Sequence, residues 1–153
     1  MAMGGLYYEE FSVGQRFEHV LRRTVTETDN LLFSALTHNP AALHLDEEAM
    51  QHSEFGTRIV NSCYTLSLMV GVSVADTTLG TTIANLGWDE VRFPRPVYPG
   101  DTLRIETIVH EMRDSRSRPE AGLVVFVHRC YNQRNEEVAA CRRTALMKRR
   151  TAT

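Results

Sequence analysis

The stretch Thr37-His38-Asn39-Pro40-Ala41-Ala42-Leu43-His44-Leu45-Asp46 sets two imidazoles, an amide and a carboxylate around a proline. An imidazole titrates near neutral pH, so it serves as acid or base in either direction of a proton transfer. The amide of Asn39 can orient a water or hydroxyl but cannot take a proton from it. Pro40 pushes Asn39 out of the α region, so the helix read over Thr28 to Leu36 stops there. His44 then falls on an ordered loop, where function concentrates. His38 reads as a helix C-terminal residue, and Asp46 as the N-cap of a short helix from Glu47 to His52. His44, between Leu43 and Leu45, needs a partner that its near neighbours do not supply. His44, Asp46 and His52 match no metal-ligand spacing, so no metal is expected.

A second candidate is Phe55-Gly56-Thr57-Arg58-Ile59-Val60-Asn61-Ser62, which opens an uncharged run from Ile59 to Ala75. Read as a helix, this run presents free N–H groups in its first turn, and such groups attract a developing oxyanion. It is short of the roughly 20 residues a membrane span needs, and it holds Asn61, Ser62, Ser67 and Ser73. Apolar residues fall all round it, so it must be surrounded by protein.

The elements that position these residues read as strands around that helix. Gln15 to Thr26 is rich in β-branched residues and ends at Thr28 or Asp29, either of which caps the next helix. Ile83 to Phe93 is a strand closed by Pro94 and Pro96. Thr102 to His110 alternates with period 2, one face apolar. Leu123 to Tyr131 and Val138 to Met147 are two more, joined by a hairpin over Asn132 to Glu137. Arg113 to Glu120 is a polar loop. A long helix followed by about four antiparallel strands gives an α+β domain, its sheet curled round the helix.

With 153 residues, 42% of them apolar, the chain makes one domain with a sizeable core. The formal net charge is −2 and the charges are interspersed, so no basic field advertises nucleic acid or an anionic membrane; only Arg142-Arg143 and Lys148-Arg149-Arg150 cluster. The three cysteines form no CxxC pair and no disulfide framework, which suits a reducing compartment. The N-terminus lacks a basic segment followed by an apolar one, so a cytoplasmic location is expected.

Phe93, Pro96-Val97 and Gly100-Asp101 resemble a strand-leading motif of the hot-dog fold, specifically of the MaoC-like dehydratases, and the resemblance covers about residues 9 to 148 of a single domain over 1–153. Gly100 has a physical role in it, since the turn before Thr102 calls for φ > 0. In the R-specific enoyl-CoA hydratases of this family the motif is aspartate, any residue, asparagine, proline, any residue, histidine. Anchored on His44, the family aspartate falls on Asn39 and the family asparagine on Ala41. Thr37-His38-Asn39 ahead of Leu43-His44 is similar to the branch that includes mesaconyl-CoA hydratase, also called β-methylmalyl-CoA dehydratase.

The resemblance implies an acyl-CoA hydro-lyase that hydrates an enoyl-CoA or dehydrates a β-hydroxyacyl-CoA, with branched C4–C5 dicarboxylic groups among the candidates. His44 would be the main acid–base group, Asn39 would hold the water, and the N–H of Ser62 would stabilise the thioester oxygen. Asn61, Arg58 and Arg92 are implied as substrate-binding residues. Coenzyme A enters only as part of the substrate and no other cofactor is implied. The phosphates of coenzyme A need cations, and Arg95, Arg142, Arg143, Lys148, Arg149 and Arg150 are further candidates. A homodimer or higher homo-oligomer is implied as well. Two rival functions share the fold. A thioesterase would want a carboxylate, and none occurs between Ser62 and Ala75. A non-catalytic acyl-CoA-binding module would explain Asn39 in place of aspartate.

Overall fold

The computed structural model describes residues 4–150, so the two ends of the expected 1–153 domain lie outside the described residues. After a single 3-10 turn at Tyr8–Glu10, the order is β1 (Arg16–Glu18), β2 (Arg23–Thr24), α1 (Glu27–Leu36), α2 (Ala42–Leu45), α3 (Glu47–Gln51), α4 (Ser62–Thr77), β3 (Thr82–Arg92), β4 (Thr102–Asp114), β5 (Ala121–Tyr131) and β6 (Glu137–Lys148). The antiparallel sheet runs β1-β4-β5-β6-β3, with β2 also on β4, and α4 packs against one face of it. This is the sheet round a helix that the sequence implies.

The long strands follow from alternation. In β4, Leu103, Ile105, Thr107 and Val109 are buried while Arg104, Glu106 and Ile108 are less so, which puts one face on the core. Leu103, Ile105, Cys130, Val138 and Cys141 meet Met69 and Val72 of α4. Each such fully buried aliphatic side chain contributes roughly 1.5–3 kcal/mol. The hairpin is where it was expected: Asn132 accepts from Arg134 and Glu136 N–H, and Asn135 takes φ 61°. Gly100 takes φ 96°, as its turn requires.

Three expectations are corrected. Gln15 to Thr26 is two short strands rather than one. Glu18 faces Glu106 and Arg23 faces Leu103, so five steps on one strand match three on its partner and two residues are extruded. Val20, 95% exposed, lies in the extruded bend. At the start of this bend the ring of His19 is buried: Nδ1 lies 2.7 Å from Asp76 Oδ2 and Nε2 2.8 Å from Thr107 Oγ1, which in turn meets His128 Nδ1 at 2.8 Å. Second, α1 starts one residue early, because Thr26 is its cap and forms a capping box with Asp29. Third, the central helix begins at Ser62, not Ile59. Val60 N–H donates to Val97 O at 2.8 Å and Ile59 N–H to Leu43 O at 3.1 Å, so both serve tertiary contacts instead of a helix. Nor is that helix enclosed on every side: Thr65, Met69, Val72, Ser73 and Thr77 are buried, while Cys63, Ser67, Gly71 and Ala75 face outward.

Candidate active site

α1 ends in a Schellman-type closure, with Asn39 N–H on Ser34 O at 2.9 Å and His38 N–H on Ala35 O at 3.1 Å. His38 occupies the left-handed position, φ 54°, and its side chain is exposed. Asn39 Oδ1 then accepts from Ala41 N–H at 3.0 Å, an Asx turn that starts α2, while its Nδ2 has no protein acceptor among the described residues. α2 is only one turn long, and its purpose is to carry His44, which is 7% exposed.

The missing partner of His44 is a backbone carbonyl. Its Nδ1 sits 2.9 Å from Ile59 O, and a carbonyl only accepts, so Nδ1 carries the proton and Nε2 keeps its lone pair. Among the described residues no protein group occupies Nε2. This is the arrangement of a general base held in one tautomer.

Asn61 caps α4, its Oδ1 accepting from Cys63 N–H at 3.0 Å and its Nδ2 donating to Ser34 Oγ at 3.3 Å. The N–H of Ser62, the first helical residue, has no acceptor among the described residues and points out of the positive end of a sixteen-residue helix. Ser62 and Thr65 line a cavity of about 370 Å³ with Phe55, Phe93, Pro96 and Val138. Thr65 Oγ1 is buried there without a partner among the described residues, a polar handle that the sequence reading does not pick out. Among the described residues no Asp or Glu lines the cavity. His44 does not line it either; the imidazole reaches the cavity wall through Ile59, to whose carbonyl it is bonded.

The other expected residues divide by whether their charge is already used. Arg58 donates from Nε to Glu47 and from Nη2 to Glu27, both at 2.9 Å. It staples α1 to α3, and hydrogen bonds from Thr57 and then Arg58 hold the Glu47 carboxyl below its ordinary value. Arg92 pairs with Glu137 at 3.0 Å on the exposed edge. Arg95, on the cavity wall, has a looser ion pair to Glu136 at 3.7 Å and a half-exposed side chain. Asp46 is a cap, accepting from Ala49 N–H at 3.0 Å, and His52 is exposed beside Glu48. Among the described residues there is no group of three His, Cys, Asp or Glu that would hold a metal ion.

The residue that sequence reasoning misses is Asn30. α1 is amphipathic in reverse: its buried residues are Asn30 and Ser34, while Leu32 and Leu36 are exposed, Leu36 at 72%. The signal available in the sequence is that polar pair at i and i+4 between leucines.

Residues 10–126 match the model of the MaoC like domain. The chain is 31% identical to mesaconyl-CoA hydratase of Cereibacter sphaeroides over 146 residues, which is 95% of this chain and 42% of that protein. It is 32% identical to β-methylmalyl-CoA dehydratase of Chloroflexus aurantiacus, over 95% of this chain and 41% of that one. The chain thus spans about two fifths of the length of these curated relatives. The crystal structure of a MaoC-like dehydratase from Rhodospirillum rubrum superposes with a TM-score of 0.86 at 32% identity, covering 97% of this chain and all of that one.

Proposed function

This chain belongs to the MaoC-like domain family, and from that premise we propose that it is a hydro-lyase, adding water to an enoyl-CoA or removing it from a β-hydroxyacyl-CoA. The observation that carries the proposal is that Ile59 O, three residues ahead of Ser62, fixes His44 through Nδ1–H, while Nε2 of His44 and the N–H of Ser62 have no protein partner among the described residues. His44 Nε2 removes a proton from water and returns it to the α carbon. Asn39 Nδ2 holds the oxygen of that water. Ser62 N–H faces the thioester oxygen as negative charge gathers there, a contribution of about 2.7–4 kcal/mol for one such donor. Thr65 Oγ1 and Arg95 are proposed to meet polar or anionic parts of the substrate, in preference to Arg58, whose charge is spent on two carboxylates. Asn61 acts as the cap that aims Ser62. A branched dicarboxylic acyl group is favoured by the two curated relatives described above.

We propose no cofactor beyond the coenzyme A of the substrate, a cytoplasmic location, and a homodimer. Among the described residues no helix is long and apolar enough to cross a membrane. Two features support pairing with a second copy: β3 is hydrogen-bonded on one side alone and exposes Leu86, Trp88 and Val91, and α4 turns a stripe of small residues outward.

The test is turnover of short enoyl-CoA and β-hydroxyacyl-CoA thioesters, methyl-branched dicarboxylic ones included. It is followed at once by enoyl absorbance and by a thiol reagent. Interconversion of at least one pair with little free thiol is expected. Thiol release outpacing hydration would assign a thioesterase instead, a reading that the absence of Asp and Glu from the cavity wall disfavours. Saturable binding without turnover would make the protein an acyl-CoA-binding module.

A further inference from the structure

Asn30 holds three segments together. It is 2% exposed; its Oδ1 accepts from Asn61 N–H at 2.8 Å, and its Nδ2 donates to His44 O at 3.3 Å and to Ile59 O at 3.2 Å. Every polar hydrogen and one lone-pair direction of the amide is used. The amide has a single tolerable orientation. Flipped, it would set NH2 against the N–H of Asn61 and oxygen against two carbonyls, leaving buried groups unpaired.

The three contacts are the three backbone points on which the proposed chemistry depends. His44 O belongs to the residue that carries the imidazole. Ile59 O is the carbonyl that fixes the tautomer of that imidazole, and its two lone pairs are shared between His44 Nδ1–H and Asn30 Nδ2–H. Asn61 N–H belongs to the cap that directs the N–H of Ser62. We infer that Asn30 is a positioning residue that sets the imidazole of His44 and the oxyanion-binding start of α4 in one fixed relation. Ser34 extends the same buried face of α1, its Oγ accepting from Asn61 Nδ2 at 3.3 Å. The reverse amphipathicity of α1 follows, because its inward face recognises backbone where an ordinary helix would bury aliphatic side chains.

The inference rests on the proposed function, and its test separates the two. In Asn30→Leu, which keeps the volume and deletes the polar contacts, the tautomer of His44 is read by ¹⁵N NMR of the imidazoles, with His44→Gln used for assignment. The wild-type ring is expected as the Nδ1–H form, and the variant as a mixture in which Nε2–H predominates. The kcat for hydration should fall on the order of 10²-fold, with KM changed less than about threefold, since a 1 Å misplacement costs about that much. Should Asn30→Leu fail to fold, Asn30→Asp takes its place. The protonated carboxyl still accepts from Asn61 N–H and donates to one carbonyl, so the ratio of variant to wild-type activity should be highest where that carboxyl is protonated and fall as it ionises, a limb the wild type lacks. An unaltered His44 tautomer in Asn30→Leu, or an Asn30→Asp pH profile that superposes on the wild type, would overturn the inference. A wild type without hydration activity would overturn the proposed function, while the tautomer measurement would still decide the role of Asn30.

Discussion

Replacing Ser62 by proline would remove one hydrogen atom from the chemistry and little else. Ser62 is the first residue of α4, where proline is well accommodated because its missing N–H has no intrahelical acceptor and its fixed φ suits the helix. Asn61, which would precede the proline, already has ψ 122°, inside the range a pre-proline residue prefers. The fold should therefore keep its stability, or gain about 0.4–1 kcal/mol from a stiffer unfolded chain. Loss of one oxyanion donor costs about 2.7–4 kcal/mol, or 10²–10³-fold in kcat. Ser62→Ala is the control, because it deletes the hydroxyl and keeps the N–H. Steady-state hydration rates for the three proteins, beside their thermal unfolding curves, give the comparison. If Ser62→Pro turned over within about threefold of Ser62→Ala at an equal melting temperature, the helix terminus would not be the oxyanion site.

Loss of the base in His44→Ala should lower kcat by about 10²–10⁴-fold with the fold intact, and Asn39→Ala should also be strongly impaired; near-native rates in either would remove that residue from the mechanism. His128 is neutral in the core, its pKa pushed down from 6.5 to about 3 by burial and then by the neighbouring Arg143 guanidinium and the His19 ring. As pH falls below 6.5 the unfolded chain takes up a proton that the folded one refuses, so the contribution of His128 is complete above that pH and is lost toward 3. At pH 5 the loss is about 2 kcal/mol, and denaturant midpoints between pH 7 and 5 should flatten in His128→Asn, which can still bond Thr107; an equal slope in both proteins would refute this. Light scattering should report at least a dimer, and a stable monomer at micromolar concentration would undercut the proposed pairing.

What the sequence made legible was what is local. Period-2 alternation in Thr102 to His110 and the hairpin over Asn132 to Glu137 carry their structure in their own order, although β4 runs on to Asp114, taking two residues from the expected loop Arg113 to Glu120, and Glu137 already belongs to β6. His44 stood out because its neighbours offered it nothing, and its partner is Ile59 O, fifteen residues away. The start of α4 was not legible. Ile59 and Val60 have the composition of the helix that follows, and what removes them from it is pairing to Leu43 O and Val97 O, contacts made only once the chain has folded. Asn30 was hidden for the same reason: an amide among leucines looks exposed until the backbone groups it bonds are brought to it. Arg58 was singled out for its charge, which Glu27 and Glu47 both claim.

Asparagine at position 39 constrains the mechanism in a way that aspartate would not. Its Oδ1 is engaged by Ala41 N–H, and its Nδ2 donors, which have no protein acceptor among the described residues, can bind only the oxygen of a water. His44 Nε2, with its lone pair fixed outward by the Nδ1–H bond to Ile59 O, can bind only a hydrogen of that water. A water bridging the two is therefore polarised in one direction, oxygen toward the amide and proton toward the imidazole. On the proposed reading no second ionisable group is assigned, so the proton that leaves the water goes to His44 Nε2. On the proposed reading the same imidazolium then delivers it to the α carbon, so hydroxyl and proton add to the same face of the double bond. A site with a second ionisable group need not obey that stereochemical restriction; a site that relies on one fixed imidazole has no alternative.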